Sequence, residues 1–305
     1  MQESVTQIFE IVFFGSALLI SPLYMASFAL IGLCIYLWRK ESGGFFQWLF
    51  PKEMYFHRST RTDVVLFLLN QFLTFLGIFA RFTAVPAFAA FVARQVPVAP
   101  FPEWQLSPFA LAFLLFVSGD FALYWIHRAH HQIRVIWPLH AVHHSAEVLT
   151  PITTYRQHPA SGLVSASIQT VIVGTILGLL IGAFVPEATL LEIAGVNAFV
   201  MALNLTVTNF QHSHVWISFG PVLEHILISP AQHQVHHSSR RIHYDKNFGQ
   251  ALAIWDWMFG TLYITSKDEK VTFGLEGEAD APLMTHRLWP ILWSPVARMF
   301  ARNQG

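Results

Sequence analysis

Residues 109–144 read FALAFLLFVSGDFALYWIHRAHHQIRVIWPLHAVHH. The first half, 109–126, carries a single formal charge, Asp120, and is close to the roughly 20 apolar residues that cross a bilayer as a helix. The second half holds six histidines. An apolar helix that ends by delivering imidazoles predicts an all-α integral membrane bundle capped by a helical, His-rich, metal-binding region at one membrane face.

Working outward, the composition agrees. Of 305 residues 54% are hydrophobic and only 12% charged, against about 25% in ordinary soluble domains, and the mean hydropathy is +0.46. Such a chain has too little polar surface to cover itself in water, which excludes most soluble enzymes. Eighteen basic residues balance eighteen acidic ones without a dense Lys/Arg run, so no nucleic-acid partner is expected. The single cysteine, Cys34, excludes intramolecular disulfides, thiolate zinc sites and cysteine-held iron–sulfur clusters. Histidine is what remains in excess, with 14 of 16 lying between His127 and His243.

Further apolar stretches occur at 8–38, 64–80 with an extension toward 92, 163–185 and 188–207, the last two joined by a turn at Pro186-Glu187. With 109–126 they predict four to five membrane helices. The first reads as an anchor rather than a cleaved signal, since Glu3 and Glu10 stand where a basic leader would be. Basic residues fall between spans one and two (Arg39, Lys40, Lys52, Arg58, Arg61), three and four (Arg128, Arg134, Arg156), and after five (Arg240, Arg241, Lys246, Lys267, Lys270), whereas the loop between two and three has only Arg94. By the positive-inside rule the N-terminus is outside, and both His-bearing segments, 126–159 and 210–261, share the cytoplasmic side. The whole chain, 1–305, reads as one domain. Within it 93–108 is a proline-rich loop, 266–285 a polar surface stretch, and 288–299 a final amphipathic helix.

Helical spacing orders the histidines. His127 and His131 lie one turn apart on one face, with His130 turned aside. His140, His143 and His144 share a stripe, and His233, His236 and His237 repeat that spacing. His212-Ser213-His214 follows the fifth apolar stretch. Neutral imidazole suits iron, zinc, copper or nickel. Eight or more converging imidazoles exceed the four that close one structural zinc site, so two ions are expected. His57, His225 and His286 read as packed or hydrogen-bonded side chains. His130, His158, His214 and His243 are divided between ligating and supporting roles.

In these elements the chain resembles the fatty acid hydroxylase/sterol desaturase superfamily of membrane oxygenases. The likeness runs from about 120 to 261. It comprises Asp120 with Tyr124-Trp125, His127-Arg128-x-x-His131, His140-x-x-His143-His144-Ser145, Arg156-x-His158-Pro159, Gln211-His212-Ser213, Ser229-Pro230-x-x-His233-x-x-His236-His237-Ser238, Asp245-x-Asn247-Phe248-Gly249 and Trp255-Asp256-x-x-Phe259-Gly260-Thr261. The resemblance implies two non-haem iron ions, dioxygen as oxidant and a lipid substrate undergoing C–H hydroxylation or desaturation. Carried over position by position, the ligands would be His127, His131, His140, His143, His144, His212, His233, His236 and His237. His214 stands where the family often has Asn, and with His130 and His243 is a possible additional ligand. The run from His243 to Asn247 also resembles the alkylglycerol monooxygenase branch, which implies ether-lipid cleavage.

Imidazoles bring no negative charge to offset two cations, and carboxylates that accept their free N–H groups can supply it. Asp120, Asp245 and Asp256 are the candidates, with Arg156, His158 and Asn247 as further supporting residues. No segment is long enough for a haem domain of the cytochrome b5 kind, so electrons are expected from a separate donor protein or a reduced pterin. The oligomeric state is not readable. A metal transporter would also gather histidines at a membrane face, but the apolar stretches carry few polar residues, among them Asn70, Gln71, Arg81, Gln169, Glu192, Asn197 and Asn204. A bis-histidine cytochrome would place its ligands within the spans rather than at their ends.

Overall fold

A computed structural model describes residues 18–78, 84–96, 108–184, 198–267 and 269–301. The regular structure of the described residues is helical, and their one β-type pairing is an isolated antiparallel bridge between Leu227 and Leu252. The principal helices are α1 (Pro22–Arg39), α2 (Arg58–Phe75), α3 (Val85–Gln95), α4 (Pro108–Gln132), α5 (Trp137–His144), α6 (Pro159–Phe184), α7 (Ala198–Thr206), α8 (Pro230–His236), α9 (Ile254–Phe259) and α10 (Leu288–Phe300).

Helix boundaries follow local chemistry. Proline, whose missing N–H costs nothing in a first turn, opens α1, α4, α6 and α8. Before α8, Ser229 and Gln232 form a reciprocal capping box, with Gln232 N donating to Ser229 Oγ at 3.1 Å and Ser229 N to Gln232 Oε1 at 3.0 Å. Ser21-Pro22 starts α1 through the proline, without a side-chain cap, so the expected span at 8–38 is interrupted at residues 19–21 by a turn, and 8–17 lie outside the described residues.

Among the described residues two helices, α1 and Pro159–Ala183 of α6, are long and apolar enough to cross a membrane. The apolar segment at 109–126 is part of α4, which continues unbroken through His131, whereas the expected second span ends with α2 at Phe75. Residues 79–83 lie outside the described set, as do 97–107 of the expected loop and 185–197 with the Pro186-Glu187 turn. Residues 93–95, expected in that loop, instead close α3.

Packing joins these elements through small residues and two apolar clusters. Gly174, Gly178 and Gly182 form one stripe of α6 against α3. A Cβ on Gly178 would stand 2.6 Å from both the Ala89 carbonyl oxygen and Val92 Cβ, so only hydrogen permits this approach. Leu66, Ala141, Val142, Leu283 and Ile291 are fully buried together and tie α2, α5 and α10 into one cluster. Phe28, Leu49, Phe210 and Val215 form a second, between α1 and the turn that carries His212. Each such Leu, Ile or Phe contributes about 1.5–3 kcal/mol when removed from water. The first cluster therefore holds α5 and the second holds the turn that carries His212. The C-terminal amphipathic segment is helical as expected, burying Ile291 and Pro295 and exposing Trp289 and Trp293.

Candidate metal centre

Each His-x-x-His-His run is divided between two sites. His127, His131, His140, His144 and His236 bring one ring nitrogen each to within 4.8 Å of one another, and His143, His212, His233 and His237 do the same beside them. α5 thus gives His140 and His144 to the first group and His143 to the second. α8 does the reverse, giving His236 to the first and His233 with His237 to the second. The nine histidines expected as ligands are the nine that converge.

Within the first group the Nε2 atoms of His127 and His140 lie 3.1 Å apart, those of His131 and His144 3.1 Å, and those of His144 and His140 3.2 Å. In the second, His212 Nε2 stands 3.3 Å from that of His143 and 3.1 Å from those of His233 and His237. Several of these atoms must be bare lone pairs. His127 Nδ1 donates to the Phe248 carbonyl at 2.8 Å and His236 Nδ1 to the Lys246 carbonyl at 2.8 Å, which fixes the proton away from Nε2. His236 Nε2 is buried without a hydrogen-bond partner. Lone pairs facing one another at this range repel unless a cation lies between them. Ligands about 2.1 Å from an ion and at right to tetrahedral angles stand roughly 3.0–3.4 Å apart, so the donors fit metal ions in both groups. Burial, reinforced by neighbouring rings, holds His140, His144, His212, His233, His236 and His237 well below the ordinary histidine range and brings His143 down to about 3. They are neutral and ready to coordinate at pH 7.

The supporting residues act mostly through backbone. Asp256 accepts from Phe248 N and Gly249 N, both at 2.8 Å, and from Thr261 Oγ1 at 2.6 Å, so it fixes the peptide whose carbonyl orients His127. Gly249 is required there, since a Cβ would stand 2.6 Å from the Leu252 carbonyl oxygen and 3.0 Å from Asp256 Oδ2. Asn247, in the left-handed region at φ 55°, accepts from Tyr263 N at 2.8 Å and donates to the Gln232 carbonyl at 3.2 Å, positioning the Lys246 carbonyl beside His236. Asp245 Oδ1 is 3.8 Å from His131 Nδ1, the one expected carboxylate that approaches a clustered imidazole.

Asp120 and the possible extra ligands are placed otherwise than expected, and Arg156 and His158 act away from the clustered rings. Asp120 accepts from Ala251 N, Leu252 N and Trp255 Nε1 at 2.9, 3.1 and 2.9 Å rather than from an imidazole, because the loop after Gly249 folds back against α4. Arg156, fully buried, pairs with Asp63 at 2.7 Å and donates to the Val142 carbonyl and Ser145 Oγ, both at 2.8 Å, anchoring the end of α5 to α2. His158 caps α6 through Ala160 N and donates to the Leu292 carbonyl at 2.9 Å. The possible extra ligands stand outside both groups. His130 is engaged by the Ile126 carbonyl and Ser161 Oγ, His214 by the Trp48 carbonyl, and His243 by Glu269. His57, His225 and His286 are hydrogen-bonded to Ser59 N, the Pro221 carbonyl and Glu147. Sequence reasoning missed Thr154, whose Oγ1 lies 3.0 Å from His212 Nδ1; its place two residues before Arg156 was the only signal. The Phe248 and Lys246 carbonyls carry no side-chain signature at all.

A cavity of about 280 Å³ reaches both groups from the side of α4 and α6, between Leu123, Ile126 and Gly162 and the rings of His127, His140, His143, His212 and His233. A second, of about 330 Å³ and with none of the first one's lining residues, reaches His131, His144 and His236 past Trp137 and Asp245.

Residues 112–261 match the family model described as fatty acid hydroxylase. The chain carries a fatty acid hydroxylase domain. It is 34% identical over 160 residues to human alkylglycerol monooxygenase, covering 52% of this chain and 32% of that one. It is 32% identical over 162 residues to the ornithine lipid hydroxylase OlsE of Rhizobium tropici, covering 53% and 44%. It is 27% identical over 235 residues to a Delta(7)-sterol 5(6)-desaturase of Aspergillus fumigatus, covering 75% and 62%. The chain thus spans about a third of the alkylglycerol monooxygenases it matches. No solved structure matches it.

Proposed function

We propose that the protein is a membrane-integral, O2-dependent lipid oxygenase whose nine clustered histidines hold two non-haem iron ions. The observation that carries this reading is the convergence of two all-histidine donor groups on one cavity that opens between apolar helices. The irons would supply the oxidising power that no side chain has, which is what an unactivated C–H bond requires.

The chain's own residues bind, orient and shield. Leu123, Ile126 and Phe248 give the cavity an apolar wall for an alkyl chain, while Thr154, Gln157 and Ser161 offer hydrogen bonds to a polar substituent near the reacting carbon. The site lies where α4 ends and α6 begins, so an acyl or alkyl chain reaches it laterally from the bilayer. Seven of the nine histidines are buried, which limits the contact of water with the donor sets. Hydroxylation puts one oxygen atom of O2 into the product and releases the other as water, so two electrons must come from outside, from a donor protein or a reduced pterin. The single domain spans 1–305 in this reading, with four to five membrane helices, the N-terminus outside and the His groups at the cytoplasmic face. The alkylglycerol monooxygenase relatives favour a second outcome at the same site, hydroxylation beside an ether oxygen with loss of the ether bond.

Lipid mass spectrometry of cells expressing the wild type or His143→Ala under 18O2 tests the proposal. One labelled oxygen in a lipid indicates hydroxylation, and loss of two hydrogens without label indicates desaturation. A fatty aldehyde from an ether lipid indicates cleavage. Lipid profiles identical with and without His143 would refute it.

A further inference from the structure

Two segments of the C-terminal half are nearly free of charge. Between Val215 and Ser239 the only Asp, Glu, Lys or Arg is Glu224, and between Asn247 and Ser266 it is Asp256. Both are fully buried and satisfied. Glu224 accepts from Ser218 Oγ, Ser229 Oγ, Phe219 N, Thr265 N and Thr265 Oγ1 at 2.7–3.2 Å. A surface facing water would carry about one charge in four residues.

These segments pair antiparallel as the two arms of one hairpin-like unit, with α8 and residues up to 249 lying between the arms in the chain. Ile228 N donates to the Ala251 carbonyl and Ala253 N to the Ile226 carbonyl, both at 2.9 Å, around the Leu227–Leu252 bridge. Every exposed side chain from 219 to 228 and from 250 to 259 is apolar: Pro221, Val222, Leu223, Ile226, Trp257 and Met258. Val222 is 76% exposed and Met258 62%.

The depth of the hairpin is set by α4. Its bridged region is held by Asp120 through Ala251 N and Leu252 N, and Trp255 packs edge-on to Phe121 at 5.0 Å. Ten residues later on the same helix, His130 meets Ser161 at the start of the apolar helix α6. Ten residues of helix are about 15 Å, half the thickness of a bilayer's hydrocarbon core. Arg240, Arg241, Lys246, Lys267 and Lys270 flank these nearly charge-free segments and mark where the chain returns to the polar side.

We infer that the hairpin of residues 219–228 and 250–259 is a re-entrant membrane insertion that holds Val222, Leu223, Ile226, Trp257 and Met258 among the acyl chains of one leaflet. It rests on the reading that α4 and α6 are membrane helices. Its partner is the lipid bilayer. Because Phe248 and Gln250, at the hairpin's edge, line the cavity that reaches both His groups, the insertion sets the cavity mouth beneath the headgroups rather than above them.

Spin labels read the depth directly. In a Cys34→Ser background, nitroxides are placed at Val222→Cys and Met258→Cys, with Leu179→Cys on α6 and the exposed Glu276→Cys as references, in phosphatidylcholine vesicles. The expected result is a nickel-chelate to oxygen collision ratio at 222 and 258 that matches 179 and is at least about tenfold below 276, an exclusion of about 1.4 kcal/mol. Hairpin labels that match 276 while 179 stays lipid-like would overturn the insertion and leave the membrane reading standing. Water access at 179 would overturn both. Labels shielded from both reagents would mean a protein contact and would also overturn it. Quenching of native fluorescence by brominated lipid, with a component lost in Trp257→Phe, gives the same answer without labels, and an unchanged quenching curve refutes the insertion.

Discussion

Asp256→Asn removes the carboxylate that holds the Phe248-Gly249 peptide. Asp256 accepts three hydrogen bonds at 2.6–2.8 Å, and the amide keeps one oxygen while turning an NH2 toward a backbone donor. One buried N–H is then unsatisfied, which costs about 1–3 kcal/mol, and the remaining bonds lose their charge assistance, so a destabilisation of about 2–4 kcal/mol is expected. The local consequence is the more specific one. The Phe248 carbonyl no longer holds His127 Nδ1, and loss of such an outer partner typically weakens metal binding 10–100-fold, or about 1.4–2.8 kcal/mol. Cobalt(II) titration of detergent-solubilised protein against a competing chelator, with a circular dichroism melt beside it and Glu278→Gln as an exposed control, measures both effects. One of two sites should weaken by that factor while the other, built from His143, His212, His233 and His237, stays within about twofold. Equal weakening of both would show general loosening, and unchanged titration with a lowered melt would reduce Asp256 to a structural role; either result refutes the coupling through Phe248.

Thr154→Val should produce the mirror image, weakening the second group roughly tenfold through His212 and sparing the first, in the same titration. Asp63→Ala leaves Arg156 buried without its partner and should cost about 3–5 kcal/mol, whereas Asp63→Leu combined with Arg156→Met should melt closer to the wild type; a single variant as stable as the wild type would show that α5 is not anchored there. The metal-free protein should lose stability on acidification. The unfolded chain takes up protons that the buried rings refuse, so stability is full above the ordinary histidine value of 6.5 and falls as pH drops toward the folded value, about 3 for His143. Between pH 6.5 and 5 that ring alone accounts for about 2 kcal/mol, and denaturant midpoints independent of pH over this interval would contradict neutral, buried imidazoles.

The amino-acid order by itself determined that histidines meet an apolar helix bundle, because runs of apolar residues and i, i+3, i+4 spacing are local properties that a single helix expresses. It also named the nine imidazoles that converge, and the start of α8 was written in Ser229-Pro230-Ala231-Gln232. Only tertiary structure decided how those imidazoles are shared. One stripe of α5 serves both groups because α8 packs across it, a relation between residues 90 positions apart that no local pattern encodes. The roles of Asp120, Asp256 and Asn247 were hidden for the same reason. Their partners are backbone amides and carbonyls, which every residue has, and only folding selects the ones that come within 3 Å of a carboxylate or a ring.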